Sequence, residues 1–231
     1  MKAITFQSIF DTPAQKLGKL NELAVTPDGR IWRYLYATEA ITQHMVVSRP
    51  ANTDVDTVSS STNARSQIVY VTEASAGWTV GAYQDHWLCV DDGTGEGQIA
   101  KIKDNTTDTL ELYEDYAFST AMAVADSDIV IVHEPDAEKA PVTTLYTPLV
   151  GVAQVTFASA DYGYFLVRGI GGVLGGAAMT LNRTITPGDD TEGTAIVSVD
   201  GADLYDISVV GRVLCANTTA DKAALVDINL L

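Results

Sequence analysis

The stretch with the most chemical potential is "VDDGTGEGQIAKI", Val90 to Ile102, where closely spaced glycines precede a lysine. Glycines at this density let backbone N–H groups wrap an anion, as in a phosphate-binding loop. That loop needs G-x-x-x-x-G-K and then Ser or Thr, so that the amides cradle phosphate, the lysine neutralises it and the hydroxyl holds magnesium. Here Gly93, Gly95 and Gly97 are followed by Gln98, and Lys101 comes too late. Asp91, Asp92 and Glu96 also place negative charge where phosphate would sit. The flanking "HWLCVDD" and "GQIAKIK" alternate with the period of strands, so the glycines are expected to serve a β-turn or bulge between them.

The other constellations are weaker. Asp91, Asp92 and Glu96 lack the D-x-D-x-D-G order of the common calcium loop, as do Asp54/Asp56, Asp126/Asp128 and Asp189/Asp190/Glu192. His44, His86 and His133 lie far apart, and on a strand His86 and Cys89 point to opposite faces, so no zinc site is expected. No G-x-S-x-G elbow occurs, and "GIGGVLGG" places Leu174 where a dinucleotide fingerprint requires its last glycine. Solvent-facing aromatics beside carboxylates could bind saccharide, and Trp78, Tyr83 and Trp87 near Asp85 are the best candidates for that. The expectation is a protein without catalytic residues, cofactor or metal.

The elements that carry these residues read as strands. Runs such as "RIWRYLYA", "QIVYVT", "HWLCV", "TLELYE", "DIVIVHE", "YGYFLVRGI", "AAMTL" and "AALVDINLL" are rich in β-branched and aromatic residues and separated by Gly, Asp, Asn and Pro. This predicts an all-β, mainly antiparallel fold with a barrel or tulip-like core. The exception is "DTPAQKLGKLNELA", where Leu17, Leu20 and Leu23 recur at helical spacing behind a capping Asp11 or Thr12. Ser48 to Ser66 reads as an exposed polar loop, and the proline-rich stretch from His133 to Pro148 as a connector. Residues 84–140 hold 14 of the 30 acidic residues against three lysines. The organisation expected is therefore an N-terminal arm or helix over 1–26, a β core from 27–83 and 141–231, and an acidic inserted β lobe over 84–140.

A net charge of -16 would repel a phosphate backbone, which argues against direct nucleic-acid binding. The opening residues predict no signal peptide, and no apolar run reaches the roughly 20 residues of a membrane span. Cys89 and Cys215 sit in apolar runs and are expected to be buried thiols.

Two segments resemble virion structural proteins of tailed bacteriophages, most closely the capsid cement or head decoration proteins. In the middle segment an aromatic strand "HWLCV" leads to "DGTGEGQ", then a polar turn, a "TLEL" strand and a final apolar "DIVIV" strand. The C-terminal segment is similar to the β-rich core of head decoration proteins, with "YGYFLVRGIGGVL", a "TPGD" turn and a closing "ALVDI" strand. The resemblance implies a non-enzymatic protein on the outer capsid surface of the virion, made in the bacterial host cytoplasm. It also implies the major capsid protein as partner and assembly as a homotrimer. The more basic N-terminal region supplies the contact residues expected for such a partner: Phe6, Ile9, Phe10, Arg30, Trp32 and Arg33. The acidic lobe is expected to point away from the shell. A tail, baseplate or fibre component, or a carbohydrate-binding module, are the alternative readings.

Overall fold

A computed structural model describes residues 2–3, 10–55, 58–64, 67–123, 127–142, 148–188, 191–198 and 209–230. The chain is 45% strand and 2% helical, and it divides into two compact units, one of residues 1–50 and 135–231 and the other of residues 51–134. The all-β expectation is met.

The first unit begins with β1 (Lys2–Ala3), β2 (Leu23–Val25), β3 (Ile31–Ala37) and β4 (Val46–Ser48). The second contains β5 (Thr53–Val55), β6 (Ser60–Ala64), β7 (Gln67–Thr72), β8 (Trp87–Asp92), β9 (Ile99–Asn105), β10 (Thr109–Leu112) and β11 (Asp128–Val132). The chain then completes the first unit with β12 (Asp136–Lys139), β13 (Leu149–Val152), β14 (Tyr162–Leu174), β15 (Thr184–Pro187), β16 (Ala195–Val197), β17 (Gly211–Cys215) and β18 (Ala223–Asn229).

In the first unit the order β3-β12-β4-β13-β14 closes on itself because β14 also pairs with β3, giving a five-strand barrel. Closure removes both sheet edges and makes the alternate faces of β3 inequivalent. Leu35 and Ala37 point into the barrel with Val47, Ala137, Val150 and Phe165, while Trp32 and Tyr34 join the separate core formed with β17 and β18. With both faces covered, "IWRYLYA" needs no polar alternation. Phe165 stacks on Phe157 with ring centroids 4.4 Å apart. The stack depends on Gly163, where a Cβ would lie 2.4 Å from the Phe157 ring. Beyond the barrel, β14 pairs with β18, then β17, β15 and β16 follow, and Val173, Val213, Val226 and Ile228 are fully buried between them.

The N-terminal segment differs from expectation. Asp11 to Ala24 forms no helix, because its polar groups bond to strand partners: Leu17 N–H donates to the Tyr34 hydroxyl at 3.0 Å and Asn21 N–H to the Tyr34 carbonyl at 2.7 Å. The leucines divide accordingly, with Leu17 72% exposed and Leu20 buried. The segment is not a separate arm either, since β1 runs parallel to β2 and β2 pairs antiparallel with β3.

The second unit is a sheet in the order β5-β11-β8-β9-β10-β7-β6, curled around Leu88, Val90, Ile102, Leu110, Ile129 and Ile131. Its limits correct the expected lobe. Residues 51–83, assigned to the core from sequence, belong to the inserted unit, and residues 135–140 belong to the first unit. The supposed polar loop supplies β5 and the edge strand β6, and the supposed connector supplies β12, hydrogen-bonded between β3 and β4. Backbone pairing holds these polar strands, so side-chain periodicity did not reveal them. "AAMTL", expected as a strand, is irregular. The cysteines are free, but Cys89 is only half-buried and Cys215 is exposed, each on the outer face of its strand.

Candidate interaction surfaces

The glycine-rich stretch is the turn between β8 and β9. Gly93, Gly95 and Gly97 have φ of 80°, 96° and 82°, the left-handed region that favours glycine. Gly97 N–H donates to the Val90 carbonyl at 2.9 Å, so these amides serve the hairpin. Gln98 then ties the turn to the following loop: its Oε1 accepts from Ser119 N–H at 3.0 Å and Thr120 N–H at 2.8 Å, and its Nε2 donates to the Thr120 carbonyl at 3.1 Å.

The aromatic candidates for saccharide binding separate. Trp78 is buried in the core of the second unit and Tyr83 packs edge-on against it at 5.9 Å. Trp87 lies on the outer face of β8, where its indole N–H donates to Glu134 Oε2 at 2.5 Å and Tyr116 meets it edge-on at 5.6 Å. Across the ladder, Lys101 places Nζ 5.6 Å from the Trp87 ring centroid and 3.8 Å from Asp85 Oδ1, which also accepts from the Tyr113 hydroxyl at 3.2 Å. Burial, followed by the Asp85 charge, raises the Tyr113 pKa above its usual value and keeps the hydroxyl a donor. Asp85 and Glu134 are both engaged in these contacts. Tyr116 and Ile99, 50% and 62% exposed, extend this face.

Tertiary structure also brings together residues that spacing had kept apart. His86 and His133 meet at 5.0 Å between ring centroids, Tyr83 packs on both, and His133 Nε2 lies 2.8 Å from Thr53 Oγ1. The signal was absent from the sequence because β8 and β11 become neighbours only through antiparallel pairing.

Among the expected partner contacts, Phe6 and Ile9 lie outside the described residues. Phe10 is 54% exposed. Arg30 is held by Asp28 at 2.6 Å and lies 5.3 Å from the Trp32 ring centroid. Trp32 is fully buried, with its indole N–H donating to Thr26 Oγ1 at 3.3 Å, so it is a core residue and cannot contact a partner as it stands. Arg33 shares β3 but points to the opposite face and is half-buried.

Charge divides unevenly between the units. Residues 51–134 contain fifteen Asp and Glu against three Lys and Arg, whereas the remainder of the chain contains fifteen against eleven. No protein-family model, curated protein or solved structure matches the chain.

Proposed function

We propose that the chain is a virion structural protein of a tailed bacteriophage that decorates and stabilises the capsid by binding between major capsid subunits, without catalysis. The observation that carries this reading is the contrast between a strongly acidic unit and a nearly balanced one that exposes apolar strand residues. A protein lying between a shell and solvent needs adhesive surface on one part and a solubilising charge on another. The resemblance of the "DGTGEGQ" hairpin and the C-terminal strands to decoration proteins supports the same reading.

The experiment is immunogold labelling of phage particles with an antibody to this chain, followed by heat challenge of particles with and without the protein. Label over the head and earlier genome release without the protein are expected. Label confined to the tail would make it a tail, baseplate or fibre component, and particles without label would end the reading.

A saccharide-binding role is the second reading, favoured by the Trp87–Tyr116 pair with Lys101 and Glu134 beside it. Binding on a glycan array that disappears in Trp87→Ala would establish it. No bound glycan, or binding unchanged in Trp87→Ala, would remove it.

A further inference from the structure

On β18 the sequence A-A-L-V-D-I-N alternates strictly, burying Ala224, Val226 and Ile228 and exposing Ala223, Leu225, Asp227 and Asn229. A solvated outer face would carry polar residues at all of the outward positions, yet Leu225 is 45% exposed. Its neighbours repeat the anomaly. Ile170 on β14 is 51% exposed, and a register shift between Val213 and Cys215 turns both Leu214, 39% exposed, and Cys215 outward on β17. In register, Ile170 stands opposite Asp227, Asp227 opposite Arg212, and Leu225 opposite Cys215. The face is therefore a small apolar patch crossed by one carboxylate, Asp227, and two guanidiniums, Arg212 and, opposite Asn229 at one end, Arg168.

Arg212 and Asp227 are adjacent across the ladder but form no ion pair with each other among the described residues. The only described hydrogen bond of the Arg212 side chain runs from Nε to the Asn182 carbonyl at 3.1 Å. On a chain of net charge -16, two copies repel through most of their surface. This face lacks that excess of negative charge, since Asp227 stands opposite Arg212 and Arg168 lies at its edge. We propose that this outer face of β14, β18 and β17 is a dimer interface, packed against the same face of a second copy, in place of the homotrimer that the resemblance implies. In such an isologous contact residue i meets j and j meets i, so Arg212 of each copy faces Asp227 of the other while Ile170, Leu214 and Leu225 close the centre. The self-complementary charge pair selects a second copy over an unrelated protein as occupant.

The full chain is tested by analytical ultracentrifugation over a concentration series, where a species of twice the 24.6 kDa chain mass is expected. A monomer at all concentrations, or a trimer, overturns the proposal. Leu225→Asp should weaken the dimer by more than 10-fold. Arg212→Asp and Asp227→Arg should each do the same, because each sets like charges face to face. An equimolar mixture of these two variants should regain the dimer, since every cross-copy pair is then complementary. Loss of dimer in either single variant without recovery in the mixture excludes the Arg212–Asp227 contact. Unchanged dimerisation in all three variants excludes the face. Far-UV circular dichroism identifies any variant that fails to fold. Should a variant fail to fold, the concentration series on the unaltered protein still decides between a dimer, which supports the proposal, and a monomer or trimer, which overturns it.

Discussion

The two units solve the same problem, enclosing an apolar interior with strands, in different ways. The first closes a barrel, so β3 and the start of β14 are covered on both faces and carry aromatic and aliphatic residues almost without interruption. The second is an open curled sheet, and β8 to β10 bury one face and place lysines, acids and a few aromatics on the other. The contrast explains why the negative charge collects in residues 51–134. An open sheet has a whole outer face on which charge stays solvated, whereas a closed barrel packed on further strands has fewer such positions.

If the units are separate cooperative blocks, core damage should stay local. The largest effect is expected from Phe165→Ala, which empties the barrel stack and should cost about 3–5 kcal/mol. Hydrogen exchange should show lost protection in β3 and β13 but retained protection in β8 to β10. Leu88→Ala, costing about 2–5 kcal/mol, should give the reciprocal pattern. Loss of protection throughout in either variant would show one block.

Gly95→Ala probes the turn of the second unit alone. Its φ of 96° strains any L side chain, and the new Cβ would lie 2.6 Å from Gln98 Nε2. A loss of about 1–3 kcal/mol is expected, read as a lower urea midpoint for the second unit only.

A smaller effect, confined to the first unit, concerns His44. Burial holds its pKa below the usual 6.5, so the folded imidazole stays neutral while the unfolded one takes up a proton first as pH falls. Its contribution is present above about pH 6.5 and lost as pH falls through the lower folded value. His44 has φ of 72°, a conformation Asn tolerates, so His44→Asn should flatten the dependence of stability on pH below about 6.5 without breaking the turn. An unchanged slope would assign the dependence elsewhere.

The smallest effect is expected from excising residues 51–134. Ser48 already pairs with Glu138 and Val47 with Lys139, so an Asn-Gly link between Pro50 and Pro135 would join β4 and β12 as a hairpin. The remaining chain should fold with its near-UV dichroism preserved. An unfolded product would mean that the barrel needs the insert.

Legibility followed the strength of the side-chain pattern. β3, β8, β10, β11, β14 and β18 could be read because their burial alternates or is continuous. β5 and β12 could not, since "TDV" and "DAEK" bury little apolar surface. The N-terminal leucines suggested a helix because spacing alone does not reveal that Tyr34 bonds to that segment.

Local sequence determined the β class and the turn at Gly93–Gly97, because strand alternation and left-handed glycine positions are properties of a few neighbouring residues. It also placed half of the acids, with only three of the basic residues, in residues 51–134. Tertiary structure decided the rest. It set the limits of the inserted unit, drew Trp32 into the core, left Trp87 and Leu225 outside, and joined His86 to His133. These outcomes depend on pairings such as Tyr36 with Tyr162 in the barrel and Trp87 with Val132 in the insert. Backbone hydrogen bonds between such distant segments hardly depend on side-chain identity, so only the folded chain reveals which strands meet and which of their faces is covered.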